Sequence, residues 1–442
     1  MVPKKEPNSF RLIQDLSFGA PGTAINHFIP FENATVSLET FDDVAELVVS
    51  CGKDCLLAKA DIEEAFRIIP LSPLEYHRLG FTWKGQFYFD RVLVMGASSS
   101  VRIFETFSKS IQWVLKSKLG VAHVSHIIDD FIFVGEAGMS ECSDSLGKFF
   151  SLCDDIGIPI KHKKTILPTT CAPIHGIELD THSMEARLPM DKLADLKSLL
   201  QLNLRRKKIK FQDLQSLLGH LNFACKVIKP GRCFLRRLYD LTCGSHKPSH
   251  FIRLNNAARA DLRVWSSFLA QYNGCTIITD SQFISSNSLQ LYTDAARSKG
   301  FACMYQQFWA WGAFSDKVKQ FHINMLELYP ITLAVYLFGE YWQNKNILFF
   351  CDNLSIVYCL NKQTSKDKLI MRMLRIIVLR SLKYNFCFQA KHINSKSNSI
   401  CDNISRFKFK EAKALARHLQ DLPVDIPSEL TPDTILLSPT DY

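Results

Sequence analysis

Two adjacent aspartates sit inside an otherwise apolar run, HIIDDFIFV, at positions 126–134. The Ile, Phe and Val on either side read as strand. A pair of charges has no place in the middle of a buried strand, so Asp129 and Asp130 belong in a tight hairpin turn. A second segment, LLAKADIEEAF at 56–66, is apolar and partly alternating, and it runs out on Asp61. It reads as a strand with Asp61 at its exit. Asp is common in turns for conformational reasons alone, so a lone Asp–Asp pair says little. Three carboxylates around one point say more. They repel and raise one another's pKa, and the arrangement is tolerated when divalent cations lie between them. Hard oxygen ligands suit Mg²⁺. Two such ions about 4 Å apart stabilise both the attacking and the leaving oxygen in phosphoryl transfer.

Charge is the second constraint. The 442 residues carry 53 Lys or Arg against 43 Asp or Glu, a net of +10. Nearly all of the excess falls in residues 190–247, with 13 basic and 4 acidic side chains. One basic run is Arg205, Arg206, Lys207, Lys208 and Lys210; a second group is Lys226, Lys229, Arg232, Arg236 and Arg237. Between them Phe211, Leu214, Leu217, Leu218 and Leu221 recur at helical spacing. A helical unit apolar on one side and cationic elsewhere suits a nucleic-acid backbone. The 14 cysteines form no CxxC pair and read as buried intracellular thiols. No apolar run is long enough for a membrane helix, and the first residues lack a signal-peptide core. The expected location is therefore intracellular, in cytoplasm or nucleus, and not secreted. Residues 417–442 hold four prolines and five acids and read as a poorly ordered terminus.

A second acidic set lies in the C-terminal part. SLQLYTDAARSKGFACMYQQFWAWGAF (288–314) reads as a strand hairpin with Asp294 ending its first strand. INMLELYPITLAVYLFGEYW (323–342) reads as a helix with Glu327 in its first turns. NILFFCDN (346–353) is a buried strand ending at Asp352, and AKHINSKSNSICDNISRF (390–407) holds His392 and Asp402. Each acid alone is ordinary at a strand end or first helical turn. The ordered set of Asp, Glu, Asp, His and Asp on strand, helix, strand, loop and helix is more telling.

Several motifs in order make the first half resemble the palm of a reverse transcriptase, closest to DIRS-like, tyrosine-recombinase-type retrotransposons. SFRLIQDLS (9–17) resembles a fingers motif and KADIEEAFRIIPLSP (59–73) motif A. VLVMGASSSVRIFETF (92–107) resembles motif B, IIDDF (127–131) motif C, GIPIKHKKT (157–165) motif D and IHGIELDT (174–181) the primer grip. The stretch 214–238 is similar to the thumb of that group. The C-terminal set resembles ribonuclease H, with His392 ten residues before Asp402 and CDNISRF similar to the closing motif of retroelement domains.

The resemblance implies an α+β multidomain chain: a right-hand polymerase of fingers, palm and thumb, then an α/β ribonuclease H-like domain. Its divisions are fingers and palm at 1–185, a basic helical thumb at 186–250, a connection at 251–287, ribonuclease H at 288–412 and an acidic tail at 413–442. It implies that Asp61, Asp129 and Asp130, and separately Asp294, Glu327, Asp352 and Asp402, each hold two Mg²⁺ or Mn²⁺ ions. Arg11, with Lys4 seven residues earlier, would bind triphosphate oxygens. Phe66 would lie under the nucleotide sugar and exclude a 2′-hydroxyl. Gly96 and Ser98 to Ser100 would form the loop beside the templating base, where small residues permit close approach. Lys164, with Lys161 and Lys163 as neighbours, would be the motif D lysine, and His392 would assist product release. Two positions depart from the pattern: Ile127 replaces the usual tyrosine and Met95 the usual glutamine before the motif B glycine. The chain also starts close to the fingers motif, before which relatives have further strands. The implied partners are an RNA template, a DNA primer, RNA–DNA hybrid and deoxynucleoside triphosphates, with no membrane. The oligomeric state is left open. The alternative is a catalytically inactive nucleic-acid-binding remnant or co-opted scaffold.

Overall fold

The apolar run that ends on Asp61 forms a strand, as its composition demands, and it lies in the interior of a sheet. In the computed structural model, Leu56–Asp61 (β1), Val124–Ile127 (β2), Asp130–Gly135 (β3) and Ile166–Thr169 (β4) make an antiparallel sheet in the order β2-β3-β1-β4. The structure describes all residues except 1, 4–9, 21, 245–246, 272–274, 278–283, 290, 344, 385, 394–397 and 438–442. Lys4 lies outside the described residues. The chain is α+β and divides into two compact units, the first formed chiefly by Met1–Arg187 and the second by Leu188–Thr276 and Ser281–Tyr442.

In the first unit, Phe41–Cys51 (α1), Ser100–Ser117 (α2) and Glu141–Asp155 (α3) cover the sheet. Alternation sorts the side chains. Ala58, Ala60, Phe131 and Phe133 share a core with Phe104, Ile111 and Leu115 of α2 and Phe149 of α3. Leu57, Ile132 and Val134 point the other way and are also buried. Burial on both faces explains why β1 and β3 read as nearly unbroken apolar runs. Cys171–Ile174 (β5), Ile177–Asp180 (β6) and Glu185–Arg187 (β7) follow as an antiparallel meander.

In the second unit, Met190–Arg205 (α4) and Phe211–Ala224 (α5) bury one face each. On α5 that face is Leu214, Leu217, Leu218, Leu221 and Ala224, as the helical spacing predicts, with Phe211 half-buried. Asn256–Gln271 (α6) carries Asp261, a carboxylate 1% exposed. Leu291–Ala295 (β8), Gly300–Tyr305 (β9) and Phe308–Ala313 (β10) form a three-stranded antiparallel meander, one strand more than the hairpin expected. Ile323–Phe338 (α7) is buried around most of its circumference. Asn346–Cys351 (β11) pairs in parallel with Cys387–His392 (β12). Such a pair needs a long crossover. Leu354–Lys362 (α8) and Lys368–Lys383 (α9) supply it, and Ser399–Ser405 (α10) follows.

The terminus read as poorly ordered is instead packed as far as residue 437. Leu430, Ile435 and Leu436 are buried, the last two on Pro432–Leu437 (α11). Tyr329 Oη donates to the Leu430 carbonyl at 2.7 Å, buried Arg372 Nη1 donates to the Ile435 carbonyl at 2.7 Å, and the Val424 amide donates to the Trp309 carbonyl at 2.7 Å. The prolines break regular structure without preventing burial of the apolar residues between them. Leu436→Ala should therefore destabilise the protein by about 2–5 kcal/mol in urea unfolding. Leu422→Ala, at a position 79% exposed in the same segment, should shift stability by no more than about 0.5 kcal/mol.

Candidate active sites

The first site is assembled by strand register. β1 and β3 pair from Leu56 opposite Gly135 to Asp61 opposite Asp130. The β2–β3 hairpin closes through Ile128 and Asp129, so Asp129 sits in the turn and Asp130 opens β3. The Ile62 amide donates to the Asp129 carbonyl at 3.0 Å, which ties the turn to the exit of β1. Like charges in a sheltered place raise one another. Burial first, then Asp130 and Asp61, pushes the Asp129 carboxyl up to about 6. Burial also raises Asp130, against the opposing pull of Lys59.

Two lysines partly neutralise the cluster. Lys59 Nζ lies 2.7 Å from Asp130 Oδ2, and Lys164 Nζ lies 2.8 Å from Asp61 Oδ2. Of the three motif D lysines, Lys164 is the one whose ammonium meets an aspartate carboxylate, while the Lys161 amide donates to the Asp61 carbonyl at 2.8 Å. Lys59 went unnoticed as a site residue. Its signal was available: it lies two positions before Asp61 on the same strand, and so on the same face.

A cavity of about 460 Å³ adjoins these acids and is lined by Arg11, Asp61, Phe66, Met95, Asp129 and Lys164 among others. Arg11 reaches it from the short strand Phe10–Arg11. Phe66 stands edge-on to Phe104, 5.6 Å between centroids, so it is at once a core contact and a cavity wall. Its turn is fixed by an ion pair between Arg67 and buried Asp90, which also accepts from Gln14 Nε2 at 2.7 Å. Gly96 follows Met95 at φ 126°. A Cβ there would lie 1.8 Å from the Gln14 carbonyl oxygen, so the loop requires glycine. The Ser98 amide donates to Asn26 Oδ1 at 2.9 Å, which holds the loop further.

The second site converges in the same way. Asp294 on β8, Glu327 on α7 and Asp352 just after β11 line one narrow cavity together with Asn398. Burial pushes Glu327 up to about 7, with Asp352 and Asp294 adding to it; burial pushes Asp294 up to about 6, with Asp402 and Asp352 adding. Asn353 caps α8 by accepting from the Ser355 and Ile356 amides. Its Nδ2 donates to Glu327 Oε2 at 2.6 Å. Ser405 Oγ donates to Asp294 Oδ2 at 2.5 Å. Asp402 on α10 faces Asp294 electrostatically but holds Arg406 Nε at 2.7 Å. His392 ends β12 rather than lying in the loop expected for it, because the parallel pairing with β11 extends to it; its Nε2 is 3.2 Å from the Asp352 carbonyl. Asn353 and Ser405 are the residues missed here. Each sits within three positions of a matched acid, but their types alone signal only capping and turns.

As the side chains stand, no group of three His, Cys, Asp or Glu among the described residues converges closely enough to hold an ion. Lys59 and Lys164 take oxygens of the first cluster, and Asn353 and Ser405 take oxygens of the second. The donor chemistry nevertheless fits divalent cations. All donors are hard carboxylate oxygens, Asp130 Oδ1 is buried without a hydrogen-bond partner, and four carboxyls, Asp129, Asp130, Asp294 and Glu327, are pushed up by burial and mutual charge.

In the basic segment, Arg205, Arg206, Lys207, Lys208, Lys210, Lys226, Lys229 and Arg232 are exposed. Arg236 pairs with Asp240 at 2.7 Å. Arg237 does not belong with them. Its side chain is 13% exposed and its Nη1 lies 3.2 Å from Asp261 Oδ1, while Arg375 meets the other oxygen at 3.1 Å. A buried carboxylate needs such partners, so Arg237 is held in the interior.

No family model matches the chain. It is similar to Protein P of Heron hepatitis B virus, 26% identical over 189 residues, which is 41% of this chain and 22% of that protein. The chain thus spans about a fifth of the relative's length. Among solved structures it is similar to a foamy viral protease-reverse transcriptase dRH in complex with ds DNA, with 17% identity and a TM-score of 0.49, covering 88% of this chain and 64% of that one. It is also similar to the foamy viral protease-reverse transcriptase in complex with RNA/DNA hybrid, with 15% identity and a TM-score of 0.44, covering 86% and 47%. With TM-scores below 0.5, these structural likenesses decide nothing by themselves. No helix among the described residues is long and apolar enough to cross a membrane.

The raised carboxyls make a pH prediction. A carboxyl whose folded value exceeds its unfolded one binds its proton more tightly when folded. Its stabilisation is complete below the unfolded value, near 4, and is lost as pH rises through the folded value. For Asp294 and Glu327 the window ends at about 6 and about 7. Without divalent cations, the melting temperature should fall between about pH 4 and about pH 7. Glu327→Gln should flatten that fall in calorimetry, and a variant with an unchanged slope would contradict the assignment.

Proposed function

We propose that this chain is an RNA-directed DNA polymerase, also able to copy DNA, that degrades the RNA strand of RNA–DNA hybrids, and that it derives from a DIRS-like retrotransposon. The single observation that carries the reading is the register of Asp61 opposite Asp130, with Asp129 in the adjoining turn, beside a cavity lined by Arg11, Phe66, Met95 and Lys164. The similarity to Protein P points the same way. On this reading the first unit supplies fingers and palm, and the second supplies thumb, connection and nuclease.

Asp61, Asp129 and Asp130 would hold two Mg²⁺ or Mn²⁺ ions, and Asp294, Glu327, Asp352 and Asp402 would hold two more. Such ions, when bound, supply Lewis-acid stabilisation of the attacking and leaving oxygens. The rest falls to the chain's own groups. Arg11 binds triphosphate oxygens at the cavity rim. Phe66, backed by Phe104, presses on the sugar and disfavours a 2′-hydroxyl. Gly96 lets the backbone approach the templating base. Lys164 Nζ gives a proton to the departing pyrophosphate as the primer 3′-hydroxyl attacks the α-phosphate. In the nuclease, Asn353 and Ser405 orient Glu327 and Asp294, and His392 assists product release.

Primer extension by the full chain with Mg²⁺ or Mn²⁺ is the test. Asp129→Asn should abolish extension and leave hybrid cleavage intact; Asp352→Asn should do the reverse. The lysine pairs on Asp130 and Asp61 are the observation that favours the second reading, an inert nucleic-acid-binding scaffold. Extension that is absent from the intact chain, or that survives Asp129→Asn, decides for that reading against the polymerase.

The exposed cations of the thumb should bind phosphate and release counterions. Primer–template affinity should weaken as salt rises, and neutralising Lys207, Lys208 and Lys210 together should lower the slope of log K against log salt by roughly 0.9 for each phosphate that no longer meets a cation. Titration by fluorescence anisotropy at several salt concentrations reads this. Arg237→Gln should instead show its effect as a loss of thermal stability.

A further inference from the structure

The hairpin that presents Asp129 and Asp130 begins on an edge strand. β2 pairs with β3 on one side only, and the polar backbone groups on its open side still need partners. Side chains meet two of them on the strand and two more at its tip. Gln112 Nε2 donates to the Val124 carbonyl at 3.1 Å. Glu39 Oε2 accepts from the His126 amide at 3.2 Å and from Ser125 Oγ. At the tip, Ser108 Oγ donates to the Ile128 carbonyl at 2.6 Å and Glu105 Oε2 accepts from the Ile128 amide at 3.4 Å. The strand partners attach at residues 124 and 126, alternate positions whose backbone faces outward on an edge strand, and the tip partners attach at residue 128 in the turn.

Glu105, Ser108 and Gln112 stand at successive turns of α2 and form a polar stripe on a helix face whose other members, Phe104, Ile111 and Leu115, are core. Glu105 is 1% exposed and Ser108 is fully buried. Burying such groups costs stability unless they do something there. Here they grip both backbone groups of one residue. That residue, Ile128, adopts the left-handed conformation at φ 56°, which a β-branched side chain disfavours. Glu105 Oε1 lies 3.3 Å from Nε2 of buried His126 and 3.5 Å from Lys109 Nζ, with a hydrogen bond to neither.

We infer that Glu105 and Ser108 are positioning residues of the polymerase reaction: they hold Ile128 in its strained turn, and that turn aims the Asp129 carboxylate at the nucleotide cavity. The inference rests on the polymerase reading of this site.

The test is single-nucleotide incorporation by the full chain, with kcat, KM for nucleotide, primer–template Kd and melting temperature measured together. Ser108→Ala and Glu105→Ala should each lower kcat tenfold or more, with primer–template Kd within about twofold of wild type and a melting temperature lowered by only the few degrees that one lost buried hydrogen bond explains. Glu105→Gln should retain most of kcat, because its amide oxygen still accepts from the Ile128 amide. Ile128→Gly placed in the Ser108→Ala background should recover kcat, since glycine takes the left-handed conformation without strain. Wild-type kcat in both alanine variants overturns the inference, and so does a loss that Ile128→Gly fails to relieve. A wild-type chain that extends no primer overturns the polymerase reading, and the positioning role with it.

Discussion

The antiparallel pairing of β1 with β3 places Asp61 directly opposite Asp130, and six paired positions hold that register. A slip of one residue would send every side chain on one strand to the opposite face. Ala58 and Ala60 would leave the core shared with Phe131 and Phe133, and Asp61 would leave its partner. The geometry of the acids is therefore guaranteed by packing well away from them. Hydrophobic burial of both sheet faces supplies the free energy, and the carboxylates, which repel, are carried along at the strand ends.

The two acidic clusters reach tolerable electrostatics by different means. At the first, ammonium groups answer the charge: Lys59 on Asp130 and Lys164 on Asp61. At the second, neutral donors meet two of the acids, Asn353 on Glu327 and Ser405 on Asp294, and a guanidinium, Arg406, meets Asp402. A neutral donor leaves the net charge in place, and it is there that the carboxyl pushed highest, Glu327, is found.

What could be read from the amino-acid order follows from how local each signal is. Asp61, Asp129 and Asp130 announce themselves because charge interrupts an apolar run. The helical face of α5 follows from spacing alone. The edge-strand partners were invisible: Glu105 and Ser108 look like ordinary helix residues until β2 is laid beside them, and Glu39 is more than 80 residues from the β2 groups it meets. Arg237 looked like one more member of a basic run, and only the fold reveals that Asp261 lies opposite. The terminus after residue 417 was misread because its prolines and acids weighed more than its few apolar residues. Those residues proved sufficient, since α7 and α9 offer Tyr329 and Arg372 as anchoring donors.

The parallel pairing of β11 with β12 has a consequence for biosynthesis. β12 cannot dock until the whole crossover of α8 and α9 has been made, and Asp402 follows later still. On the ribosome, the first acidic cluster is complete once the strands up to β4 have emerged, whereas the second must wait until α10 has emerged with Asp402. Translation therefore delivers the first acidic cluster well ahead of the second, and a product terminated before Asp402 would retain the one and lack a member of the other.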